Sequence, residues 1–189
     1  MKYKSFKRLF DLIFSLLCLL LILPVLCFLY PVVKFTSRGA FLHWSKRIGK
    51  DGEIFLMPKI RTMEIYTPQV ATHLLLNPKK YTNSASSFLR NSSLDELPQI
   101  WSIFRGHMSF VGPRPALFNQ NDLIKLRKRK GIDKLVPGLT GWAQINGRDD
   151  LTVEEKVVFE SYYLNNCSFY FDKIIIIKTF FSFIGIKKI

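Results

Sequence analysis

A long apolar run close to the amino terminus constrains this chain more than any other feature of its sequence. Residues 12–33 are almost free of polar side chains, and as an α-helix they would extend roughly 33 Å at ~1.5 Å per residue. That length is enough to reach across a hydrocarbon core of about 30 Å. Asp11 stands at the entrance and no small-residue cleavage site follows, which argues against a signal peptide. The run therefore predicts a membrane anchor.

Two prolines interrupt this run. Pro24 lies near its middle, where a proline removes one backbone hydrogen bond and is expected to kink the helix, and Pro31 is expected to break its far end. Basic residues flank both sides, with Lys2, Lys4, Lys7 and Arg8 before the run and Lys34 and Arg38 after it. A spanning helix usually separates a more basic end from a less basic one. From the residues alone, a spanning helix and a re-entrant helix that leaves on the side it entered are both open.

The charge balance narrows the choice of partner. The chain of 189 residues has 28 Lys and Arg against 14 Asp and Glu, a formal net charge of +14. Such an excess favours an anionic partner, which is a membrane surface, a nucleic acid or a phosphorylated substrate. The aromatic residues are not interleaved with basic ones in an RNA-binding order, so no nucleic acid partner is predicted. Cys18, Cys27 and Cys167 form neither a disulfide framework nor a zinc-ligand spacing.

The remaining sequence predicts a mostly helical α+β fold with a small β-hairpin. The hairpin joins residues 40–44 to residues 54–57 through the Asp51-Gly52 turn. Hydrophobic spacing and turn residues predict the other elements, namely a helix with loops in 66–81, an approach to a helix in 84–93, helices in 94–104, 119–129 and 153–164, an interfacial or buried helix in 174–189, and loops in 106–115 and 136–148. For the basic helix 119–129, a solvated face and a lipid-bound face are both open.

Asp95 and Glu96 are adjacent acids at the start of a predicted helix. One interpretation is helix capping. Ser93 and Glu96 fit the capping-box pattern, but Pro98 would then lie beyond the first turn, whereas a cap at Asp95 places Pro98 inside it. The functional interpretation is that one carboxylate attacks a phosphoryl group as a nucleophile. The pair also suits Mg²⁺, which binds through one or two carboxylates together with substrate phosphate.

Basic residues in the surrounding segments favour phosphate as the ligand. They are Lys59 and Arg61 at the end of the hairpin region, Arg90 shortly before Asp95, Arg114, and Arg148 after Asn146-Gly147. Pro113 and Pro115 flank Arg114 and reduce the freedom of its backbone, and a guanidinium suits bidentate contact with phosphate. Taken singly, each of these would more often be a solvated surface charge. Their combination with the paired acids is what points to phosphate.

Several sequence blocks resemble the bacterial sugar transferase family, the monotopic phosphoglycosyl transferases that start glycan assembly on undecaprenyl phosphate. The blocks include Lys7-Arg8-Leu9-Phe10-Asp11, Pro24-Val25, Arg47-Ile48-Gly49, Lys59-Ile60-Arg61-Thr62-Met63 and Ser93-Leu94-Asp95-Glu96-Leu97-Pro98-Gln99. Gly112-Pro113-Arg114-Pro115 and Pro137-Gly138-Leu139-Thr140-Gly141-Trp142-Ala143-Gln144 are, in combination, the most specific. The resemblance covers nearly the whole chain.

The resemblance implies a re-entrant anchor in residues 1–36, broken at Pro24, and a catalytic domain in residues 37–189 on the cytoplasmic face of the bacterial inner membrane. It implies that Asp95 attacks the β-phosphate of a UDP-sugar, that UMP leaves, and that the phosphosugar passes to undecaprenyl phosphate. Glu96 would assist by positioning or proton handling, and Mg²⁺ would bind at Asp95. Phosphates or nucleotide would be held by Lys59, Arg90, Pro113, Arg114, Gln144 and Arg148. The product would enter lipopolysaccharide, capsule, exopolysaccharide or glycoprotein glycan synthesis, and the sugar and the oligomeric state are left open.

His107 departs from the family's pattern, because Gly106-His107-Met108-Ser109 stands where members usually have an acid after the glycine. If that acid contributes to metal binding or to active-site hydrogen bonds, activity would be weaker or shifted in pH. Two alternatives are also open. The net charge and the apolar ends are compatible with a non-catalytic protein that binds membrane surfaces, and a transferase that makes a glycosidic bond would release UDP rather than UMP.

Overall fold

The computed structural model of the chain describes residues 2–36, 39–68, 81–147 and 150–183. Its helices are α1 (Lys2–Thr36), α2 (Ser84–Asn91), α3 (Ile100–Arg105), α4 (Asn121–Arg129), α5 (Trp142–Ile145), α6 (Val153–Asn165) and α7 (Phe169–Phe183). Its strands are β1 (Leu42–Ile48), β2 (Ile54–Ile60), β3 (Ser109–Val111) and β4 (Gly138–Thr140). Short 3-10 helices occupy Lys50–Gly52, Leu94–Gln99 and Ile132–Lys134. The predicted α+β, mostly helical fold class is confirmed.

Helix α1 contains the apolar run and continues through both prolines. It includes Pro24 and Pro31 in its interior and ends at Thr36, so the expectation that Pro31 breaks the far end was wrong, and the helix is also not interrupted at Pro24. A proline removes one hydrogen bond, yet the flanking turns keep theirs, which is why prolines are tolerated inside apolar helices. Within the described part of the chain, α1 is the one helix with the length and composition to cross a membrane.

One face of α1 packs against the rest of the protein along most of its length. The buried residues of α1 include Asp11, Ser15, Leu29 and Val33. They are separated by whole numbers of helical turns and therefore lie on one face of the helix. The partly buried residues between them that pack on the same two core clusters are Cys18, Leu19, Ile22 and Leu26. Leu20, Leu21 and Phe28 on other faces of the helix are exposed. The anchor therefore lies alongside the globular part and does not project away from it.

Polar contacts hold the first turns of α1 in place. The Tyr3 hydroxyl and the Lys7 ammonium both donate to Asp172 Oδ2 in α7. Arg8 donates to the Ile103 and Phe104 carbonyl oxygens, each at 2.7 Å. These carbonyls are in the last turn of α3, where carbonyl oxygens have few partners within the helix. The amino-terminal end of the anchor is thus bound to two different helices of the body.

The hairpin β1–β2 is formed as predicted, with longer strands. The strands are antiparallel and pair in register from Leu42↔Ile60 to Ile48↔Ile54. Asp51 and Gly52 have φ values of 55° and 83°, and the Glu53 amide donates to the Lys50 carbonyl oxygen. Positive φ at both central residues is the property that Asp-Gly supplies in a tight hairpin turn.

The predicted loops at 106–115 and 136–148 contain regular structure that the sequence did not reveal. Strands β3 and β4 lie within them and pair in parallel, Ser109 with Gly138 and Val111 with Thr140, and the second segment also contains α5. Three-residue strands are too short to show an alternating pattern. Their pairing depends on glycines, because a Cβ at Gly138 would lie 2.1 Å from the Gly112 amide nitrogen.

The helices in the carboxyl-terminal half agree with prediction. Helix α6 begins at a capping box between Thr152 and Glu155, and α4 and α6 pack on a shared cluster that includes Leu123 and Val157. Helix α7 combines the two predicted alternatives, since Ile175 is fully buried while Phe180 is exposed. Most of the predicted helix at 66–81 and residues 184–189 lie outside the described residues, and the division of the chain at residue 36 stays a prediction.

The close approach of Gly112 and Gly138 predicts a stability difference between two glycine substitutions. Gly138→Ala would bring a methyl group within 2.1 Å of backbone atoms, so we expect a loss of about 3 kcal/mol or more in the free energy of unfolding. Gly131→Ala is the control. Gly131 has φ +72° but open space around its Cβ position, so it should cost only about 1 kcal/mol. Denaturant unfolding in detergent micelles measures both values, and equal losses would contradict the steric argument.

Candidate active site

The adjacent acids Asp95 and Glu96 lie in the 3-10 helix Leu94–Gln99, directly after α2. The predicted caps of this helix, Ser93 together with Glu96 or Asp95 alone, are not formed. Ser93 precedes it with φ 56° and forms no side-chain capping hydrogen bond, whereas a capping box needs an extended residue at that position. Asp95 itself lies inside the 3-10 helix. Both capping interpretations were therefore wrong, and the two carboxylates are available for other contacts.

Glu96 forms an ion triad with Lys59 and Arg114. Lys59 Nζ and Arg114 Nη2 both donate to Glu96 Oε1 at 2.8 Å. The triad joins the end of β2, the 3-10 helix and the loop after β3, and the Lys59 and Glu96 side chains are 18% and 15% exposed. Burial by itself would raise the pKa of Glu96, but the charges of Arg114 and Lys59 outweigh it and hold that pKa far below its usual range. Glu96 is thus a structural anion at neutral pH.

Lys59 is the most deeply placed cation of the triad. Burial lowers the pKa of its ammonium, and the charge of Glu96 opposes that shift while the charge of Arg114 adds to it. Lys59 also lines the cavity that contains Asp95. Its charge in the folded protein therefore depends on Glu96.

Asp95 points to a different environment from that of Glu96. It is buried and lines a cavity of about 360 Å³, and none of the ion pairs among the described residues involves it. Burial raises the pKa of Asp95, the charge of Lys59 opposes that rise, and the neighbouring Glu96 charge adds to it. A carboxylate that faces a cavity without a fixed cationic partner is available to react or to bind a ligand.

Basic side chains dominate the cavity around Asp95. Those that line it are His43, Lys46, Arg47, Lys59, Arg61 and Arg90. Burial, followed by the charges of Arg61, Lys59 and Arg47, lowers the pKa of His43, so its imidazole is neutral at pH 7. Burial together with the charge of Arg114 lowers the pKa of Arg47 to about 10, which leaves it charged. Such a lining favours a ligand with several negative charges.

Strand β1 supplies cavity residues that the sequence reasoning missed. His43, Ser45 and Arg47 alternate along the strand and all line the cavity, and His43 pairs with Lys59 across the hairpin. Alternate residues of a strand share one face. The sequence signal for these residues is the alternation of His43, Ser45 and Arg47 on the strand that pairs with Lys59.

The loop that carries Arg114 is fixed through its backbone. Four consecutive carbonyl oxygens accept hydrogen bonds, Pro113 from the Gly138 amide at 2.8 Å, Arg114 from Arg127 Nη2 at 2.9 Å, Pro115 from Arg47 Nη1 at 3.1 Å and Ala116 from the Ile48 amide at 2.9 Å. The donors come from β4, α4 and β1. This loop is therefore held by three elements before any ligand binds.

The other residues singled out from the sequence are placed as follows. Pro113 contributes to the fixed loop, and neither it nor Arg114 lines the cavity. Both polar atoms of the Gln144 side chain are buried without a partner in the described part of the chain, and Gln144 does not line the cavity. Arg148 lies outside the described residues. His107 is exposed beside the Phe55 ring, with 5.6 Å between the ring centroids, and is not part of the lining.

The donor set at the site fits a magnesium ion that is shared with a phosphate ligand. Glu96 is occupied by two cations, and the carboxylates that line the cavity are Asp95 and Glu64. Residues 2–36, 39–68, 81–147 and 150–183 contain no group of three or more His, Cys, Asp and Glu residues that could hold a metal ion. Mg²⁺ commonly binds through one or two carboxylates and completes its shell with water and substrate phosphates.

Comparison with known proteins shows similarity to sugar transferases along nearly the whole chain. Residues 2–185 match the family of bacterial sugar transferases. The chain is 35% identical over 195 residues to the exopolysaccharide production protein ExoY of Rhizobium meliloti (strain 1021), covering 92% of this chain and 83% of the relative. It is 38% identical over 188 residues to the UDP-glucose:undecaprenyl-phosphate glucose-1-phosphate transferase of Escherichia coli (strain K12), covering 95% of this chain and 40% of the relative. It is 31% identical over 192 residues to the undecaprenyl-phosphate galactose phosphotransferase of Salmonella typhimurium, covering 92% and 39%.

The low pKa of Glu96 predicts a pH-dependent loss of stability in Glu96→Gln. The lowered pKa stabilises the fold above the pKa of an unfolded glutamate, about 4.3, and this contribution is lost as the pH falls through the folded value. At neutral pH the substitution leaves Lys59 and Arg114 without their anion, which should cost about 3 kcal/mol. The difference from the wild-type melting temperature should shrink below about pH 4.

Thermal unfolding in micelles, followed from neutral to acid pH, measures this difference. The control is Glu154→Gln, because Glu154 is exposed on α6 and should change the melting temperature little at any pH. A Glu96→Gln difference that stays constant or grows on acidification would show that Glu96 is not the stabilising anion described above.

Proposed function

This chain belongs to the bacterial sugar transferase family, and from that premise we propose that it transfers a sugar 1-phosphate from a UDP-sugar to undecaprenyl phosphate and releases UMP. One observation carries the proposal. Of the two adjacent acids, Asp95 alone lines the cavity, together with the five cationic side chains of Lys46, Arg47, Lys59, Arg61 and Arg90, while Glu96 is held by Lys59 and Arg114. The cavity thus combines a nucleophile with the charges that a diphosphate requires.

The first half of the proposed reaction forms a covalent intermediate. A carboxylate oxygen of Asp95 attacks the phosphorus that carries the sugar, and the bond from that phosphorus to the bridging oxygen breaks. The bridging oxygen keeps the electron pair of the broken bond and leaves as part of UMP, and the sugar phosphate becomes an acyl phosphate on Asp95. Lys59 and Arg90 line the cavity next to Asp95 and would offset the charge on the phosphates.

The second half regenerates the carboxylate. An oxygen of undecaprenyl phosphate attacks the same phosphorus, the bond to Asp95 breaks, and a polyprenyl diphosphate sugar leaves. The pKa of Asp95, raised by burial, makes it a more basic and hence better nucleophile than an ordinary aspartate. Glu96 does not transfer a proton in this scheme, because its pKa is held too low. It positions Lys59 and Arg114 instead.

Mg²⁺ is the cofactor that the proposal includes. Asp95 would hold it together with substrate phosphates, and the ion would supply neutralisation of the diphosphate charge. The side chains of Lys59, Arg61 and Arg90 would also neutralise the charge of the phosphates, and they would bind and orient them. His107 is exposed and lies outside the cavity lining. This supports the proposal that Mg²⁺ can bind at Asp95 without an acid at position 107.

We also propose that the protein is a monotopic component of the bacterial inner membrane with its catalytic part on the cytoplasmic face. The support is the packing of α1. Tyr3, Lys7 and Arg8 at one end and Leu29 and Val33 at the other all contact the same body. A helix that crossed the bilayer away from the body could not make both sets of contacts. A re-entrant or embedded anchor also brings Asp95 to the interface where the lipid substrate presents its phosphate.

Asp95→Asn should abolish UMP release in a mixture of UDP-sugar, undecaprenyl phosphate and Mg²⁺, because an amide cannot act as the nucleophile. The measurement is UMP formation across a panel of UDP-sugars, with intact-protein mass spectrometry after incubation with UDP-sugar alone. The wild-type protein should gain the mass of one sugar phosphate, and the variant should not.

Asp122→Asn provides the matched control, since Asp122 is exposed in α4 and its loss should leave turnover within about twofold of wild type. Substantial turnover in Asp95→Asn would overturn the nucleophile assignment. Release of UDP in place of UMP would show a glycosidic transfer. Binding of anionic vesicles without any nucleotide release by the wild-type chain would favour the non-catalytic alternative.

The monotopic arrangement predicts that both ends of α1 lie on the same side of the membrane. Single cysteines at Lys4 and Lys34, placed in a chain with Cys18, Cys27 and Cys167 changed to Ser, should be protected from an impermeant maleimide in spheroplasts. Both should react after permeabilisation. A cysteine at Lys128, on exposed α4, reports the side of the body and should behave identically. Labelling of only one end of α1 in intact spheroplasts would establish a spanning helix.

A further inference from the structure

A buried ion pair lies behind the loop that carries Arg114. Arg127 in α4 and Glu160 in α6 are 9% and 3% exposed. Arg127 Nε donates to Glu160 Oε2 at 2.8 Å, and Arg127 Nη2 donates to Glu160 Oε1. The two parallel bonds form a fork between guanidinium and carboxylate, which is the most directional ion pair available to side chains.

The same guanidinium reaches a third acceptor. Arg127 Nη2 also donates to the Arg114 carbonyl oxygen at 2.9 Å. Arg127 therefore connects α6 to the backbone of the loop at the one residue of that loop whose side chain contacts Glu96. A lysine in its place could reach Glu160 or the carbonyl, but its compact ammonium does not have the planar fork that serves both.

Arg114 is thus restrained at both of its ends. Its carbonyl oxygen is held by Arg127, and its guanidinium donates to Glu96 Oε1 at 2.8 Å. The Arg114 side chain is 31% exposed, so its contact with Glu96 is not enforced by burial alone. A long side chain keeps a defined position only when its backbone and its polar end are both fixed.

Stability alone is a weak reason for a charged pair at this position. Desolvation of two ions offsets most of their attraction, and packed apolar residues of similar volume often stabilise a fold as well or better. Leu123 and Val157, which belong to one apolar cluster of α4 and α6, lie one turn before Arg127 and Glu160 on their helices. An apolar pair could therefore fill this space, but it could not donate to the Arg114 carbonyl.

We propose that Arg127, held by Glu160, is a positioning residue for the sugar-phosphate transfer. It fixes the Arg114 backbone so that the Arg114 guanidinium stays on Glu96 beside the phosphate-binding cavity. This proposal rests on the proposed function of the site. Arg127 does not line the cavity and acts only through Arg114.

The test is a double-mutant cycle between Arg127 and Arg114 in the full-length protein. Arg127→Lys keeps a positive charge beside Glu160 and removes the fork. We expect it to lower kcat/KM for UMP release by about tenfold to a hundredfold, the order of loss that a displacement of about 1 Å produces at a reacting centre. Arg114→Lys should lower the same parameter, and the double variant should be no worse than Arg114→Lys alone within about twofold.

Two further variants separate positioning from folding. Arg129→Lys is the control in the same helix, where Arg129 is exposed, and it should leave turnover unchanged. Glu160→Gln keeps Arg127 but loosens its anchor, so it should lower activity in the wild-type background and not in Arg114→Lys. Thermal unfolding of each variant shows whether it folds. If Arg127→Lys does not fold, Glu160→Gln alone tests the positioning role.

The kinetic signature gives a second criterion. If Arg127 acts through Arg114, Arg127→Lys must change the same parameter, KM for UDP-sugar or kcat, that Arg114→Lys changes. Multiplicative losses in the double variant, or a loss confined to the other parameter, would overturn the positioning role while the wild-type protein still releases UMP. A wild-type protein that releases no UMP would instead overturn the proposed function, and the positioning role with it.

Discussion

The shared carboxylate of Glu96 is the interaction on which the site depends. One oxygen of Glu96 accepts hydrogen bonds from Lys59 and Arg114, and so joins the hairpin, the 3-10 helix and the loop after β3. Two cations and one anion leave an excess positive charge next to Asp95. This arrangement separates two chemically similar neighbours, because Glu96 is committed to the scaffold and Asp95 is left to face the cavity.

The anchor contributes to the site as well as to membrane attachment. Residues of α1 belong to the same apolar clusters as β2, α3 and β3, and Asp11 accepts a hydrogen bond from the Phe110 amide in β3. Since β3 leads directly into the loop with Arg114, the anchor supports the position of that loop. For the proposed transfer to a lipid, this coupling would keep the part of the protein that contains Asp95 at a fixed position relative to the membrane surface.

The sequence was most successful where one residue pattern corresponds to one local structure. It predicted the hairpin from Asp51-Gly52, the helix α6 from its apolar spacing, and the apolar anchor from its composition. It also singled out Asp95, Lys59, Arg90 and Arg114, of which the structure brings the first three to one cavity and joins the fourth to Glu96. The sequence-based predictions of capping by Ser93 or Asp95 and of a helix break at Pro31 were wrong. Both features depend on the backbone conformation of the flanking residues, which the residue types alone do not set.

What the sequence determined by itself was the apolar anchor, the excess of basic residues and the turn of the hairpin, because charge, apolar length and turn chemistry are properties of the residues. The tertiary structure decided how the charged groups are divided. It gave Glu96 two cationic partners and left Asp95 facing the cavity, brought His43 and Arg47 to it from β1, and fixed Arg114 through Arg127 and Glu160. These choices depend on contacts between segments far apart in the chain, where burial and the distance between charges set the pKa and the position of each side chain. No local pattern encodes those distances.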